Sequence, residues 1–301
     1  MISITLQLDW KPNAQFAGIL WAHHHGWYAR VGIDLTIVPW WPGFNQMDAL
    51  ESDANVIVST EDNLHLFARA QGKPVKAIGT MVQFSGIGWM TLKSANIRSI
   101  ADLKGKRIGT HPDGLTAIKV ALAQNGLSEH DVELVDVSYA YDELLVSKQF
   151  DAIQCYVIVE PFELARKGFD LHTLVAHESG YQVYSQVFST TERLIASQRP
   201  ALVQFLRVSF DGWRAALAQP QDGARLVVES YLPEAHYETE LQSLMAMGRF
   251  IEGDVGMQKL GWMTSERWAK SISYLETHHL LHQPLTPEEV MTNALMEDVY
   301  A

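Results

Sequence analysis

Residues 2–40, ISITLQLDWKPNAQFAGILWAHHHGWYARVGIDLTIVPW, decide the fold. Ile4, Leu6 and Leu8 alternate with polar neighbours, which is the period of a strand. Ala14 to Val31 then reads as a helix closed by Gly26 and Gly32, and Asp34 to Trp40 returns to strand. A strand, a helix and a second strand in this order make a parallel βαβ unit. The first strand stops abruptly at Asp9-Trp10, ahead of Pro12-Asn13. In open α/β sheets ligands gather outside the carboxyl ends of strands, so an acid and an indole at such a tip are candidate binding groups.

Working outward, the rhythm continues through a helix near FNQMDAL, the apolar strand ANVIVST, a helix over Leu64 to Ala70 and the strand VKAIGTMV. A second α/β rhythm follows GIGWMTLK: a short helix in SIADLKG, the strand KRIGT, a loop bearing Gly114, a helix over Thr116 to Gln124, the strand VELVDVS, a helix near DELLVSK and the strand DAIQCYV. After YQVYSQVFSTT, which also has strand character, the chain is helical to its end. The expected fold is therefore α/β with two lobes joined by two crossover strands. Lobe I takes residues 1–88 and 187–301 and lobe II residues 89–186. That layout places a cleft between the lobes, with hinge strands near residues 86–90 and 185–190.

Composition narrows the partners. A chain of 301 residues with 47% hydrophobic and 19% charged side chains has ample material for a core. A net charge of -12 without a basic cluster argues against nucleic acid or an anionic membrane surface as the main partner. One cysteine, Cys155, excludes an internal disulfide and any multi-cysteine metal site. It lies in an apolar run and reads as a buried, inert thiol. His23-His24-His25 are consecutive, so on a helix they point about 100° apart and do not converge on one ion. His278, His279 and His282 offer a pair without a third ligand. No metal and no cofactor is expected, and no GxSxG or comparable nucleophile signature appears.

The motifs carry a family likeness. LDWxPNxxFAG followed by GWYxxxGIDL, then ARAQGKPVKAIG, SIADLKGKRIG, YVIVEPFEL and PEEVMTNALMED, span nearly the whole chain. In this order they resemble the thiamine-precursor binding family. That family comprises substrate-binding proteins of ABC importers for pyrimidine precursors, with alkanesulfonate-, taurine- and nitrate-binding relatives and the eukaryotic thiamine-pyrimidine synthase. The resemblance implies a type II periplasmic-binding-protein fold, a heterocyclic ligand such as a formylaminopyrimidine, and an importer permease as partner. It implies an extracytoplasmic, periplasmic or lipid-anchored location if a signal peptide has been removed, and a cytoplasmic one if Met1 is the native start. A monomer is expected. The synthase branch uses a lysine-bound pyridoxal phosphate, a nearby histidine and a cysteine-rich patch in the return crossover. Here VSTEDNLHL holds no lysine and YQVYSQVFSTT no cysteine, although His65 falls close to the family's histidine. A binding protein rather than an enzyme is expected.

Ten residues form the expected ligand site: Asp9, Trp10, Asn13, Glu61, Phe84, Thr110, His111, Gly114, Tyr156 and Glu160. Trp10 offers a stacking face and Asp9 an acceptor for ring amino groups. Asn13 also suits a helix N-cap, and both readings stand. In VSTED, Ser59, Thr60 and Asp62 are candidate caps, while Glu61 is the acid that capping explains least. The loop GTHPDG precedes a helix and lacks the Walker spacing and lysine, so it is either a plain turn or an anion site. Tyr156 and Glu160 end a strand and start a helix, where Pro161 suits the first turn; the resemblance makes both ligand contacts. Trp40 and Trp41 are candidates for the cleft rim. Three other readings remain open: a ligand-sensing module of a signalling protein, an alkanesulfonate, taurine or nitrate binder, and the synthase.

Overall fold

The computed structural model describes residues 1–52, 54–137, 141 and 147–301, so most of the helix expected near DELLVSK lies outside the described residues. The chain divides into two compact units, Met1–Phe84 with Tyr184–Ala301, and Ser85–Val183. The division falls a few residues before each of the expected boundaries.

The first unit is built on a five-stranded sheet of β1 (Ile2–Gln7), β2 (Ile33–Val38), β3 (Val56–Thr60), β4 (Val75–Val82) and β10 (Ser185–Thr191), in the order β2-β1-β3-β10-β4. β1 runs parallel to β2 and β3, whereas β10 is antiparallel to both of its neighbours. YQVYSQVFSTT thus supplies an interior strand of this sheet as well as a crossover. Burial of so polar a strand requires partners for its hydroxyls. Ser189 bonds His65 at 2.8 Å, and Thr190 donates to the Val56 carbonyl at 2.6 Å.

The expected helix over Ala14 to Val31 is broken into a 3-10 turn (Ala14–Phe16) and two helices, Ala17–His24 and Trp27–Arg30. Gly26 separates them in the left-handed conformation at φ +68°, which costs glycine little. The stretch near FNQMDAL is a 3-10 helix, Gln46–Glu51. The long helix Glu192–Ala218 kinks at Gln198, two residues before Pro200, whose ring blocks a helical backbone ahead of it. It lies hard against Ala17–His24, since a Cβ on Gly212 would stand 2.1 Å from the Gly18 carbonyl oxygen. The Glu240 carboxylate, on Tyr237–Glu252, accepts from the Ala14 amide at 2.7 Å and holds the start of the same segment. One core cluster gathers Leu66, Ala77, Tyr184, Val187, Met263 and Trp268.

The second unit repeats the plan. Its strands are β5 (Ile87–Leu92), β6 (Arg107–Thr110), β7 (Glu133–Asp136), β8 (Ala152–Tyr156) and β9 (Leu171–Val175), in the order β7-β6-β8-β5-β9. β6 is parallel to β7 and β8, and β5 is antiparallel to β8 and β9. GIGWMTLK, read as a crossover, is therefore an interior strand here. β9 was not anticipated, because LHTLV is short and carries a histidine and a threonine within its apolar pattern. The helix expected from Thr116 starts at Leu115 and ends at Gln124.

Candidate functional site

In the first unit the polar groups collect where β1 and β3 end and β10 begins. Pairing of Gln7 with Val58 and of Val187 with Thr60 brings Asp9, Ser59, Glu61, Ser185 and Gln186 to one edge of the sheet. Ser59 donates to Asp9 Oδ1 at 3.0 Å, and burial pushes the Asp9 carboxyl up to about 6. Ser185 donates to Glu61 Oε1 at 2.5 Å. Glu61 occupies the N-cap of the helix Asp62–Ala70 without making a side-chain capping bond. Ser59 and Thr60 do not cap that helix either, since Thr60 Oγ1 accepts from Gln46 at 3.2 Å. Asp62 lies inside the first helical turn, and burial pushes its carboxyl up to about 7.

Trp10 stacks on Trp40 with centroids 5.2 Å apart and planes at 21°. Asn13 is an N-cap, its Oδ1 accepting from the Gln15 amide at 3.1 Å. Gln15 and Gln186 are both buried, and Gln186 Nε2 donates to Gln15 Oε1 at 2.9 Å. Gln186 holds φ +49°, a conformation uncommon for a residue with a side chain. Phe84 lies under the Arg267 guanidinium at 5.4 Å. His65 is a core residue. Its Nε2 donates to the Val290 carbonyl and its Nδ1 meets the Ser189 hydroxyl, both at 2.8 Å, and burial lowers its pKa to about 4, so the ring is neutral.

In the second unit Gln154, which sequence reasoning did not single out, organises the GTHPDG loop. Its Oε1 accepts from Thr110 Oγ1 at 2.6 Å and from the His111 amide at 2.8 Å. The side chain fills the space beside Gly114, where a Cβ would stand 1.9 Å from that oxygen. The Gly114 amide donates to the His111 carbonyl at 3.0 Å, so two of the amides an anion would use are already engaged. His111 Nδ1 donates to the Val137 carbonyl at 2.9 Å, with Tyr141 3.2 Å from Nε2.

Glu160 opens the helix Glu160–Arg166 and accepts from the Tyr156 amide at 2.7 Å. Burial pushes its carboxyl up to about 7 and raises the Cys155 thiol well above its usual value. The Tyr156 ring lies on Gly86, where a Cβ would come within 2.7 Å of the ring. His23, from the HHH run, bonds the Tyr231 hydroxyl at 2.7 Å. Among the described residues no group of three or more His, Cys, Asp or Glu is placed to hold a metal, and no helix is long and apolar enough to cross a membrane.

Ser185, Gln186, Gln15 and Gln154 are the polar residues missed in the sequence. Their only signal is a polar side chain set in a run that packs on both sides.

Two mixed five-stranded sheets of the same plan, each with polar groups at its strand ends, define a type II periplasmic-binding-protein fold. The chain belongs to the NMT1/THI5 like family, whose model matches residues 13–223. It is 27% identical to the riboflavin-binding protein RibY of Chloroflexus aurantiacus, over 96% of this chain and 85% of that protein. It is 25% identical to the formylaminopyrimidine-binding protein of Halalkalibacterium halodurans, over 97% of this chain and 90% of the relative. Among solved structures, the periplasmic aliphatic sulphonate binding protein SsuA from Escherichia coli matches with a TM-score of 0.79 at 14% identity, covering 96% of this chain and 90% of that one. At that identity the likeness concerns the fold.

Proposed function

We propose that this chain is the substrate-binding protein of an ABC importer and that it captures a planar nitrogen heterocycle of the thiamine-pyrimidine type outside the cytoplasm. The observation that carries this reading is the edge of the first sheet, where Asp9 and Glu61 are each held by a serine hydroxyl close to the Trp10–Trp40 stack. Carboxylates accept hydrogen bonds from amino groups, and an indole stacks on a flat ring. An amine-bearing heterocycle satisfies both. Asn13 and Phe84 of the first unit are further proposed contacts, and in the second unit Thr110, His111, Gly114, Tyr156 and Glu160 are proposed contacts on the family resemblance.

The protein acts by binding and not by catalysis in this reading. The neutral, fully bonded state of His65 and the absence of a lysine in VSTEDNLHL support it against the synthase. A flavin is the second ligand to test, because a relative covering 96% of this chain is named a riboflavin-binding protein. Calorimetry and thermal shift with formylaminopyrimidine, riboflavin, an alkanesulfonate, nitrate and pyridoxal phosphate test the reading. Stabilisation by a pyrimidine or a flavin is expected. Stabilisation by the anions alone would overturn it.

A further inference from the structure

We propose that Trp40 is a positioning residue for ligand binding, which fixes the plane of Trp10 before the ligand arrives; this rests on the heterocycle reading above. The argument begins with how firmly Trp40 is held. Its amide donates to the Trp10 carbonyl at 3.2 Å, and its indole Nε1 donates to the Phe44 carbonyl at 2.8 Å. Backbone and ring are thus anchored separately, so the ring has little freedom to rotate. Behind it, the buried Gln7 side chain reaches from the end of β1 to the carbonyls of Val38 and Pro39, each at 3.2 Å, where the chain leaves β2.

Trp40 then lies against Trp10 at 5.2 Å, nearly parallel. Offset stacking of this kind resists tilting of either ring. Trp10 follows Asp9 directly, so setting its plane also sets the angle between the stacking surface and the Asp9 carboxylate. A heterocycle that stacks on Trp10 and donates to Asp9 needs both at once. A ring already ordered in the ligand-free protein loses less conformational freedom on binding. Trp41 provides an internal contrast. It stacks on Phe44 at 4.0 Å but is 48% exposed, so its ring stands half in solvent.

The test is calorimetry on the full chain with formylaminopyrimidine and riboflavin as probes, comparing wild type with Trp40→Phe, Trp40→Leu, Trp41→Ala and Trp10→Ala. Trp40→Leu keeps the apolar packing and removes the ring, whereas Trp40→Phe keeps a ring. Trp40→Leu is expected to weaken the bound probe about fivefold to tenfold. Trp40→Phe, which keeps a ring but loses the donor to the Phe44 carbonyl, is expected to recover part of that loss, and Trp41→Ala to change little. The near-ultraviolet circular dichroism of the ligand-free protein should lose the signal of paired indoles in Trp40→Leu and in Trp10→Ala alike. If Trp40→Leu binds the probe as tightly as wild type while Trp10→Ala does not, the positioning role is overturned and the heterocycle reading stands. If wild type binds neither probe, or Trp10→Ala binds as wild type does, the heterocycle reading fails and the positioning role with it. If Trp40→Leu fails to fold, Trp40→Phe decides, since binding there as tight as in the wild type would overturn the proposal.

Discussion

Ser59 donates its hydroxyl hydrogen to Oδ1 of Asp9 across 3.0 Å, so the end of β3 orients the acid that follows β1. Burial outweighs this bond and raises the Asp9 carboxyl from 3.8 to about 6. A raised carboxyl stabilises the fold fully below about pH 4, and that contribution is lost as the pH rises through 6. Binding runs the opposite way, because a ligand amino group needs the ionised acceptor. Affinity for an amine-bearing heterocycle should fall about tenfold per pH unit below 6. Asp9→Asn should flatten that profile and weaken binding at pH 8 by about tenfold. Calorimetry from pH 5 to pH 8 in a Glu160→Gln background checks it; an unchanged slope in Asp9→Asn would assign the titration elsewhere.

Glu160 gives a prediction that needs no ligand. Its carboxyl is buried and raised from 4.5 to about 7 while it accepts from the Tyr156 amide. Its stabilising contribution is complete below about pH 4.5, declines through the window up to 7 and levels off above it. Glu160→Gln keeps an acceptor for that amide and removes the charge. The variant should therefore gain on the wild type as the pH rises, by on the order of 2 to 3 kcal/mol at pH 8 relative to pH 4.5. Denaturant unfolding at the two pH values measures the difference, and a parallel offset at both would show that the acid is not raised.

Gly212→Ala tests what holds the segment after Trp10. Its Cβ would meet the Gly18 carbonyl oxygen at 2.1 Å and the Ala22 Cβ at 2.9 Å, and neither can give way without separating the two helices. A loss of about 1 to 3 kcal/mol is expected, with weaker ligand binding as Asn13 and Gln15 shift with the helix. Urea unfolding together with calorimetry separates the two effects.

The readable part of this fold was local. Alternation in Ile4, Leu6 and Leu8, the apolar run of β3 and the glycines after the first helix all act within a few residues, and they mark the strand tip at Asp9. What was not legible depends on partners far along the chain. β10 reaches its place by pairing Val187 with Thr60, and Gln186 finds Gln15 across 171 positions. Gln154 is a single amide in an apolar strand, and only the fold reveals that it fills the loop beside Gly114. Hydroxyls before a helix usually cap it, which makes Ser59 and Thr60 cap candidates in the sequence. Here Asp9 and Gln46, neither of them nearby in sequence, take those hydroxyls instead.

Arg267 supplies the last prediction. One of its nitrogens donates to the Gln83 carbonyl at 2.5 Å and another pairs with Asp254 at 2.6 Å. Its guanidinium lies 5.4 Å from the Phe84 ring and 4.9 Å from that of Tyr184. Phe84 and Tyr184 are the residues at which the chain leaves and re-enters the first unit, so one side chain, itself 14% exposed, grips both ends. A planar fork that donates in two directions while its faces meet rings is not reproduced by an ammonium. Arg267→Ala should cost about 2 to 4 kcal/mol, and Arg267→Lys should recover less than half of it. The amides of Gln83 and Phe84, which donate to the Phe250 carbonyl at 2.8 and 3.2 Å, should exchange faster with solvent in both variants. Exchange at those two amides no faster than in the wild type would place the holding force in the Phe250 contacts rather than in the guanidinium.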